Sequence, residues 1–420
     1  MKGALSRLAL ALILLLGGLI GLFARGDGKP PDDADLMETA APIPEHENGY
    51  ITLSAASELL VWPEDEAGSG RWIQLSRDED WDERLAAQAI SANAYALSAL
   101  ARVTKAPAFQ TPPIRDIAND AVPDMLRWRQ LSRVSAIRAI AEARRGDEGA
   151  ALADALAPLK LAQQMASDAN ATVMHAMVAL SVGATGLDAL DALLPMSRVD
   201  RESARAIAAQ VGTHRIDGSA WAKMWAGEYR AMRGTVLGWG DEAKVREMLE
   251  DAATPRIARW LPTEYLFQPN NSLAVYGAII RGRQARAGGP CSAEERRGKS
   301  RPAFALLAPN YLGKREVADA ADLAVYDARR CLYDTRIEAL RAAIAVRAFE
   351  AERGLLPPSL AALVPEYLES LPRDEFADGE LRLDRVGRAL YSIGTESGLA
   401  PERAAEARFP LLPPPAEPGA

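Results

Sequence analysis

The side chains best suited to ligand binding are aromatic and lie in one stretch of the chain. Trp221, Trp225 and Tyr229 are spaced four residues apart, so a helix would carry them on one face, with Glu228 beside them. Such a stripe would either line a groove for a peptide or a glycan or pack against neighbouring helices. In the first case, a buried Glu228 would act as a general acid. We name these four residues as candidate ligand-binding residues and leave both interpretations open.

The remaining reactive residue types form no recognisable catalytic or metal-binding pattern. The three histidines lie in unrelated contexts and neither HExxH nor CxxC occurs, so we expect no metal and no cofactor. No G-x-S-x-G motif is present for a serine nucleophile. His214 and Asp217 form either an acid–base pair or a helix-end interaction, and the apolar surroundings of His175 favour a core position. The sequence therefore assigns no catalytic residue and favours a protein that is not an enzyme.

The charge of the chain argues against nucleic-acid binding. It has 49 basic and 57 acidic residues, a net charge of −8, whereas phosphate recognition needs a concentrated basic surface. Of the 420 residues, 49% are hydrophobic and 25% are charged, which is typical of globular proteins.

The N-terminus predicts a membrane anchor followed by a stalk. Lys2 and Arg7 precede an uncharged apolar run over residues 8–24, which is long enough to span a bilayer with help from flanking arginines. We expect residues 1–25 to form one transmembrane helix in a bacterial inner membrane, with the bulk of the chain in the periplasm. A cleaved signal peptide and a buried helix are the alternatives. Residues 26–48, rich in Pro, Asp and Glu, predict a flexible acidic stalk.

The two cysteines agree with export. Cys291 and Cys331 are the only cysteines of the chain, and in an oxidising compartment they predict one disulfide that closes about 40 residues. Two separate buried thiols are the alternative.

Residues 49–353 predict a domain of many helices with antiparallel helix pairs. The clearest pair is joined by Gly146 and Asp147, which suit the end of one helix and the start of the next. It resembles one tetratricopeptide hairpin, but no second copy follows at the repeat distance. Residues 315–353 are helical in pattern but long, and we expect a break near Tyr333.

The character of the chain changes after Gly354. Residues 354–400 predict a small α+β module with a short helix and a two-stranded hairpin, whose strands cover about 380–385 and 388–393. Residues 401–420 predict a loose, Pro-rich tail. The fold class is therefore mainly α, with this α+β module at the C-terminal side.

The C-terminal module resembles the end of the major pseudopilin of type II secretion systems. The shared residues follow one another in the same order: Leu356-Pro357, Leu371-Pro372, Asp374, Phe376, Gly379 and the strand Leu390–Gly394. Glu375 stands where the family has Pro, and Glu396 is the only acid in the loop that carries the calcium ligands of the family. The N-terminus also lacks the pseudopilin processing site, so the chain is not a processed pilin subunit.

A second resemblance covers most of the chain. The ordered segments 47–50, 268–273 and 309–313 are similar to those of an uncharacterised family of membrane-anchored bacterial proteins with this module. This resemblance implies an architecture and no activity.

Three classes of function remain open. The leading hypothesis is a scaffold that holds a protein partner or another envelope component. The second is an envelope hydrolase that acts on peptide or glycan through the Trp221 and Glu228 region. The third is an accessory subunit of a secretion or pilus-like machine.

Overall fold

The computed structural model describes residues 26–117, 119–120, 123–196, 200–250, 260–289, 291, 309–320, 324–377, 379–393 and 407–411. The anchor predicted for residues 1–25 and most of the predicted tail lie outside the described residues. Within them the protein is mainly helical, as predicted, and the strands are confined to the C-terminal side.

Helices make up most of the described chain, and their bounds are as follows. The first half contains α1 (Ala34–Met37), α2 (Gly49–Glu58), α3 (Glu66–Leu75), α4 (Glu83–Ala92), α5 (Ala94–Val103), α6 (Met125–Arg144), α7 (Glu148–Ala166) and α8 (Val173–Leu193). The second half contains α9 (Arg201–Gly212), α10 (Gly218–Gly238), α11 (Glu242–Met248), α12 (Thr263–Leu266), α13 (Pro269–Gln284), α14 (Tyr311–Ala320) and α15 (Ala324–Arg353). Short 3-10 turns lie at Glu45–Glu47 and Leu360–Leu363.

The centre of the core is the group of helices α6, α7 and α8, on which α15 packs. Helices α6 and α7 form the predicted antiparallel pair. Gly146 ends α6 with a φ of +83°, a conformation that favours glycine. The Asp147 side chain then accepts a hydrogen bond from the Ala150 N–H (3.1 Å) and caps α7. Both local signals in the sequence are therefore confirmed.

Helix α8 is the one helix among the described residues that is long and apolar enough to cross a membrane. Two thirds of its most apolar window (67%) is buried inside the protein. It packs against α6, α7 and α15, so its apolar composition is explained by its central position in the core.

The segment predicted to be a flexible acidic stalk lies against the helical domain over its described length. Asp33 accepts a hydrogen bond from the Tyr229 hydroxyl (3.0 Å) and pairs with Arg233 (2.8 Å) on α10. Asp35 in α1 pairs with Arg281 (2.6 Å) on α13. The structure thus differs from the expectation, because the acidic residues serve as partners for arginines of the folded domain.

Helix α15 is continuous through Tyr333, so the break expected there is wrong. The Tyr333 ring fills the space above Gly183 on α8, where even one added carbon would collide with it. Because α8 and α15 approach so closely at this point, packing supports the middle of a helix that spans about 45 Å at 1.5 Å per residue.

The C-terminal module contains two small antiparallel sheets. Strands β1 (Arg373–Asp374) and β2 (Gly379–Glu380) form the first, and the second has the order β3 (Arg382–Asp384), β4 (Ala389–Tyr391), β5 (Arg408–Pro410). The pair β3–β4 is the predicted hairpin, with Leu383 opposite Leu390. Strand β5 comes from the predicted tail and adds a third strand beside β4.

Cys291 and Cys331 form the predicted disulfide. Cys331 lies on α15, and the Cys291 N–H donates to the Glu375 carbonyl oxygen (2.9 Å) beside β1. The bridge therefore fixes to α15 a residue whose backbone is hydrogen-bonded to the C-terminal module.

Candidate functional site

The four predicted ligand-binding residues all lie on α10, and the structure buries them. Trp221, Trp225 and Tyr229 are at most 1% exposed and Glu228 is 8% exposed. The Trp221 indole N–H donates to Asp327 on α15 (2.6 Å), and the Tyr229 ring stacks on that of Tyr276. The residues thus occupy the interior between α10, α13 and α15, which agrees with the second interpretation, packing against neighbouring helices.

Glu228 supports the beginning of α8. Its carboxylate accepts a hydrogen bond from the Val173 N–H (3.0 Å), which is the first residue of that helix. The neighbouring Gly227 lets α10 approach closely, since a Cβ there would collide with the Ala171 carbonyl oxygen. Burial raises the pKa of Glu228. The partial positive charge at the start of a helix attracts a carboxyl group. The position of Glu228 is therefore explained by its role in the fold.

The histidines do not form a catalytic group. His175 completes a capping box with Thr172 at the start of α8, and burial lowers its pKa to about 4. His214 contacts Gln163 (3.3 Å between Nδ1 and Oε1), while Asp217 binds Ser219, so the pair considered from the sequence does not form. Within the described ranges, no group of three or more His, Cys, Asp and Glu residues is arranged to hold a metal ion.

A buried ionic cluster fixes the C-terminal module to α15. Glu338 on α15 pairs with Arg341 (2.6 Å) and Arg215 (3.5 Å), and Arg215 also pairs with Glu375 beside β1. Glu338 and Glu375 are at most 1% exposed. Removing Arg215 would leave the buried Glu375 with only the exposed Arg373 at 3.7 Å, so this cluster favours one placement of the module.

Asp334 extends this cluster by one turn of α15. It pairs with Arg330 (3.1 Å) and accepts a hydrogen bond from the Ile216 N–H (3.0 Å). Burial raises its pKa to about 6, although Arg330 opposes the shift. The cluster fixes the module beside α15, and the module forms one wall of a groove.

The groove runs between the end of α8, helix α15 and the three-stranded sheet, and encloses about 300 Å³. This is at the lower end of the range of small-molecule sites. Its floor and walls are apolar and come from distant parts of the chain: Leu194, Leu340, Ala343, Val346, Leu390 and Phe409. Strand β5 therefore brings a residue of the predicted tail into the lining.

The charged groups at the margin of the groove are paired with one exception. Arg336 pairs with Asp191 (3.0 Å), and Arg388 holds both carboxylate oxygens of Glu350 (2.9 Å each). Arg347 forms no ion pair among the described residues, and it donates a long hydrogen bond to the Pro195 carbonyl oxygen (3.4 Å). Partial burial lowers the pKa of Arg347, and the charge of Glu350 opposes this shift.

A second depression, of about 460 Å³, lies beneath residues 40–43. Its polar side chains are engaged in holding the chain together. Gln110 accepts from the Ile43 N–H (3.0 Å), and Gln164 donates to the Val103 carbonyl (3.0 Å). The second depression therefore offers fewer free polar groups to a ligand than the groove does, and we take the groove as the candidate functional site.

The groove could not be predicted from the sequence. Its charged residues Arg347 and Arg388 and the apolar Phe409 are spread over 62 positions of the chain, and only tertiary packing brings them together. A weak signal was present on α15, where Leu340, Ala343 and Arg347 recur at helical spacing.

Comparison of the chain with protein-family models, with curated proteins and with solved structures found no match. The function is therefore argued from the groove and from the residues that build it.

Proposed function

We propose that this protein is a membrane-anchored, periplasmic helical scaffold that is not an enzyme and that holds a protein partner or another envelope component in the groove. One observation carries the proposal: an apolar groove of about 300 Å³ lies between α15 and a module that buried ion pairs fix to the helical domain. A binding site on rigid elements needs little ordering when the ligand arrives, which favours affinity.

The location rests on two features that support each other. The apolar run over residues 8–24 follows positive charge, as in anchors with the following chain outside the cytoplasm. The disulfide is typical of an oxidising compartment. A C-terminal alkaline phosphatase fusion is expected to be active in cells. Activity of a cytosol-specific reporter alone would contradict the location.

The hydrolase alternative loses its support because its residues are enclosed. Trp221, Trp225 and Glu228 face other helices, and Glu228 is occupied with the start of α8. General acid catalysis needs a carboxyl group within reach of the substrate. We therefore expect Glu228→Gln to leave any envelope phenotype of the gene unchanged wherever the protein is still folded.

Photo-crosslinking from inside the groove tests the proposal directly. Phe409 lines the groove, whereas Tyr95 on α5 is 56% exposed and lies outside the groove lining. Replacing each in turn by benzoylphenylalanine exchanges one aromatic group for another and therefore gives matched probes. In living cells, the probe at position 409 is expected to yield a defined adduct, with protein or with a small molecule, that mass spectrometry identifies.

The control for this experiment fills the groove. Ala343→Trp, combined with the probe at 409, is expected to abolish the adduct because the indole occupies the space of the ligand. The same adducts from positions 95 and 409, or an adduct that persists with Ala343→Trp, would contradict a binding role for the groove.

A further inference from the structure

We propose that the groove binds a medium-chain fatty acid, with its carboxylate on Arg347 and its alkyl chain along the apolar side chains of α15. This inference rests on the proposed function, because it names the chemical class of the component that the groove holds. It follows from three features of the described residues: an arginine at the groove without an ion pair, an apolar path of limited length, and walls formed mainly by apolar side chains.

The charge pattern of the groove favours an anion. Three arginines and two carboxylates line it, and the two carboxylates, Asp191 and Glu350, are already paired with Arg336 and Arg388. Among the described residues, Arg347 is then the guanidinium of the groove that a ligand carboxylate can bind without breaking an ion pair. Its N–H groups form a planar fork that matches two carboxylate oxygens. The negative charge of the nearby Glu350 is balanced by Arg388, which donates to both of its carboxylate oxygens.

The lining of the groove favours an alkyl chain over a peptide. A peptide needs partners for its own backbone N–H and C=O groups when it is buried. Helix α15 satisfies its backbone groups internally, and Pro410 on the sheet side has no N–H to offer. The described walls therefore present mainly apolar side chains, which suit a ligand with one polar end.

The length of the apolar path limits the length of the chain. From Arg347 back to Ala339 the groove follows eight residues of α15, or about 12 Å at 1.5 Å per residue. One turn further, Arg336 and Asp191 close the path with charge. A chain of the length of decanoate fills this distance, whereas a longer chain would have to pass the ion pair.

The experiment uses the full-length protein in lipid nanodiscs and a diazirine analogue of decanoate. After photolysis, the modified peptides are mapped by mass spectrometry, with unlabelled fatty acids as competitors. We expect labelling in α15 between positions 339 and 347. The apparent affinity of the competing fatty acid should rise about four-fold for each added methylene, which is the factor for burying one methylene. This rise should end at decanoate.

Arg347→Gln tests the carboxylate contact, with Arg353→Gln as the matched control. Arg353 lies on the same helix, is exposed and does not line the groove. We expect Arg347→Gln to lower labelling by the acid at least about ten-fold, the loss expected for one charge-assisted hydrogen bond, and to leave labelling by a decanol analogue unchanged. Arg353→Gln should change neither. Equal labelling of the parent and Arg347→Gln by the acid would overturn the proposal.

The outcomes also separate this inference from the proposed function. If decanoate fails to label the groove but a photoreactive peptide with a free carboxyl terminus labels it, the fatty-acid proposal is overturned and the groove remains a binding site. If neither probe labels α15 and the probe at 409 gives no adduct in cells, both proposals are overturned.

Discussion

The aromatic stripe of α10 and the groove along α15 show how differently a core and a candidate binding site are built. The stripe carries the strongest pattern in the sequence, with Trp221, Trp225 and Tyr229 at helical spacing, yet all three are enclosed and contact other helices. The groove has almost no local pattern, but it keeps an open volume and contains Arg347, which forms no ion pair within the part of the chain that the structure describes.

The difference lies in what surrounds the charged and polar groups. Beside the stripe, Glu228 and the Trp221 indole are bound to groups of the protein itself. At the groove, Arg347 has only a long contact with a carbonyl oxygen. Groups that are satisfied within the fold stabilise it, whereas a group that is half-buried and unpaired is the one that a ligand can use.

Removal of a stripe residue should have the largest effect on stability. Trp225 is fully buried, and Trp225→Ala is expected to lower the free energy of unfolding by about 3–5 kcal/mol, because it leaves a large cavity. Chemical denaturation followed by circular dichroism measures the loss. Tyr95→Ala, at an exposed position, should change stability by less than about 0.5 kcal/mol. Similar values for the two variants would contradict the interior placement of the stripe.

Loss of the disulfide tests the wall of the groove. The bridge joins residues 40 positions apart, and the double change Cys291→Ser, Cys331→Ser is expected to lower the free energy of unfolding by about 3–4 kcal/mol. Because the buried ion pairs of Glu375 still hold the module, we expect the variant to fold. Labelling of the groove should fall while packing of the stripe is unchanged, as measured by tryptophan fluorescence. Unchanged stability after the double change would contradict the bridge.

The sequence predicts those parts of the fold that are encoded locally. The α6–α7 pair depends on Gly146 and Asp147, which are adjacent, and the β3–β4 hairpin is formed by neighbouring strands. The disulfide could be predicted because the chain has two cysteines. In each case, the information lies in a few residues and their order.

What could not be predicted depends on contacts between distant segments. The acidic composition of residues 26–48 is that of a flexible linker, but Asp33 and Asp35 have arginine partners about two hundred positions away. The continuity of α15 depends on its close approach to Gly183. The groove likewise exists only because β5 returns to the sheet, so no spacing in the sequence could indicate Arg347 as a binding residue.

Acidification should lower the stability of the protein through His175, which lies where the stripe meets α8. Burial lowers the pKa of His175 from 6.5 to about 4, so between these values the unfolded chain binds a proton that the folded protein does not. Stability therefore falls as the pH decreases through this window. His175→Gln keeps an acceptor for the cap of α8 and is expected to reduce the loss between pH 7 and pH 4 by about 2–3 kcal/mol.

Two other buried groups make the control for this titration necessary. The pKa of His214 is also lowered to about 4, which acts in the same direction, and that of Asp334 is raised to about 6, which acts in the opposite direction. The parent and the variant are therefore compared at each pH by chemical denaturation. Parallel stability curves for the parent and His175→Gln would show that His175 does not titrate in this way.

Introducing tryptophan into each region is expected to change stability least among these variants and to distinguish the core from the groove most clearly. Ala231, three residues after Glu228 on α10, is fully buried, and Ala231→Trp is expected to cost at least about 1–3 kcal/mol because the packed interior has no room for an indole. Ala343 lines the groove, where about 300 Å³ is open, and Ala343→Trp should cost less than about 1 kcal/mol. Although Ala343→Trp should lower the free energy of unfolding less than Ala231→Trp does, it is the variant that should abolish labelling by the decanoate probe. If both variants lost the same stability, the groove would be as tightly packed as the core, and its role as a binding site could not stand.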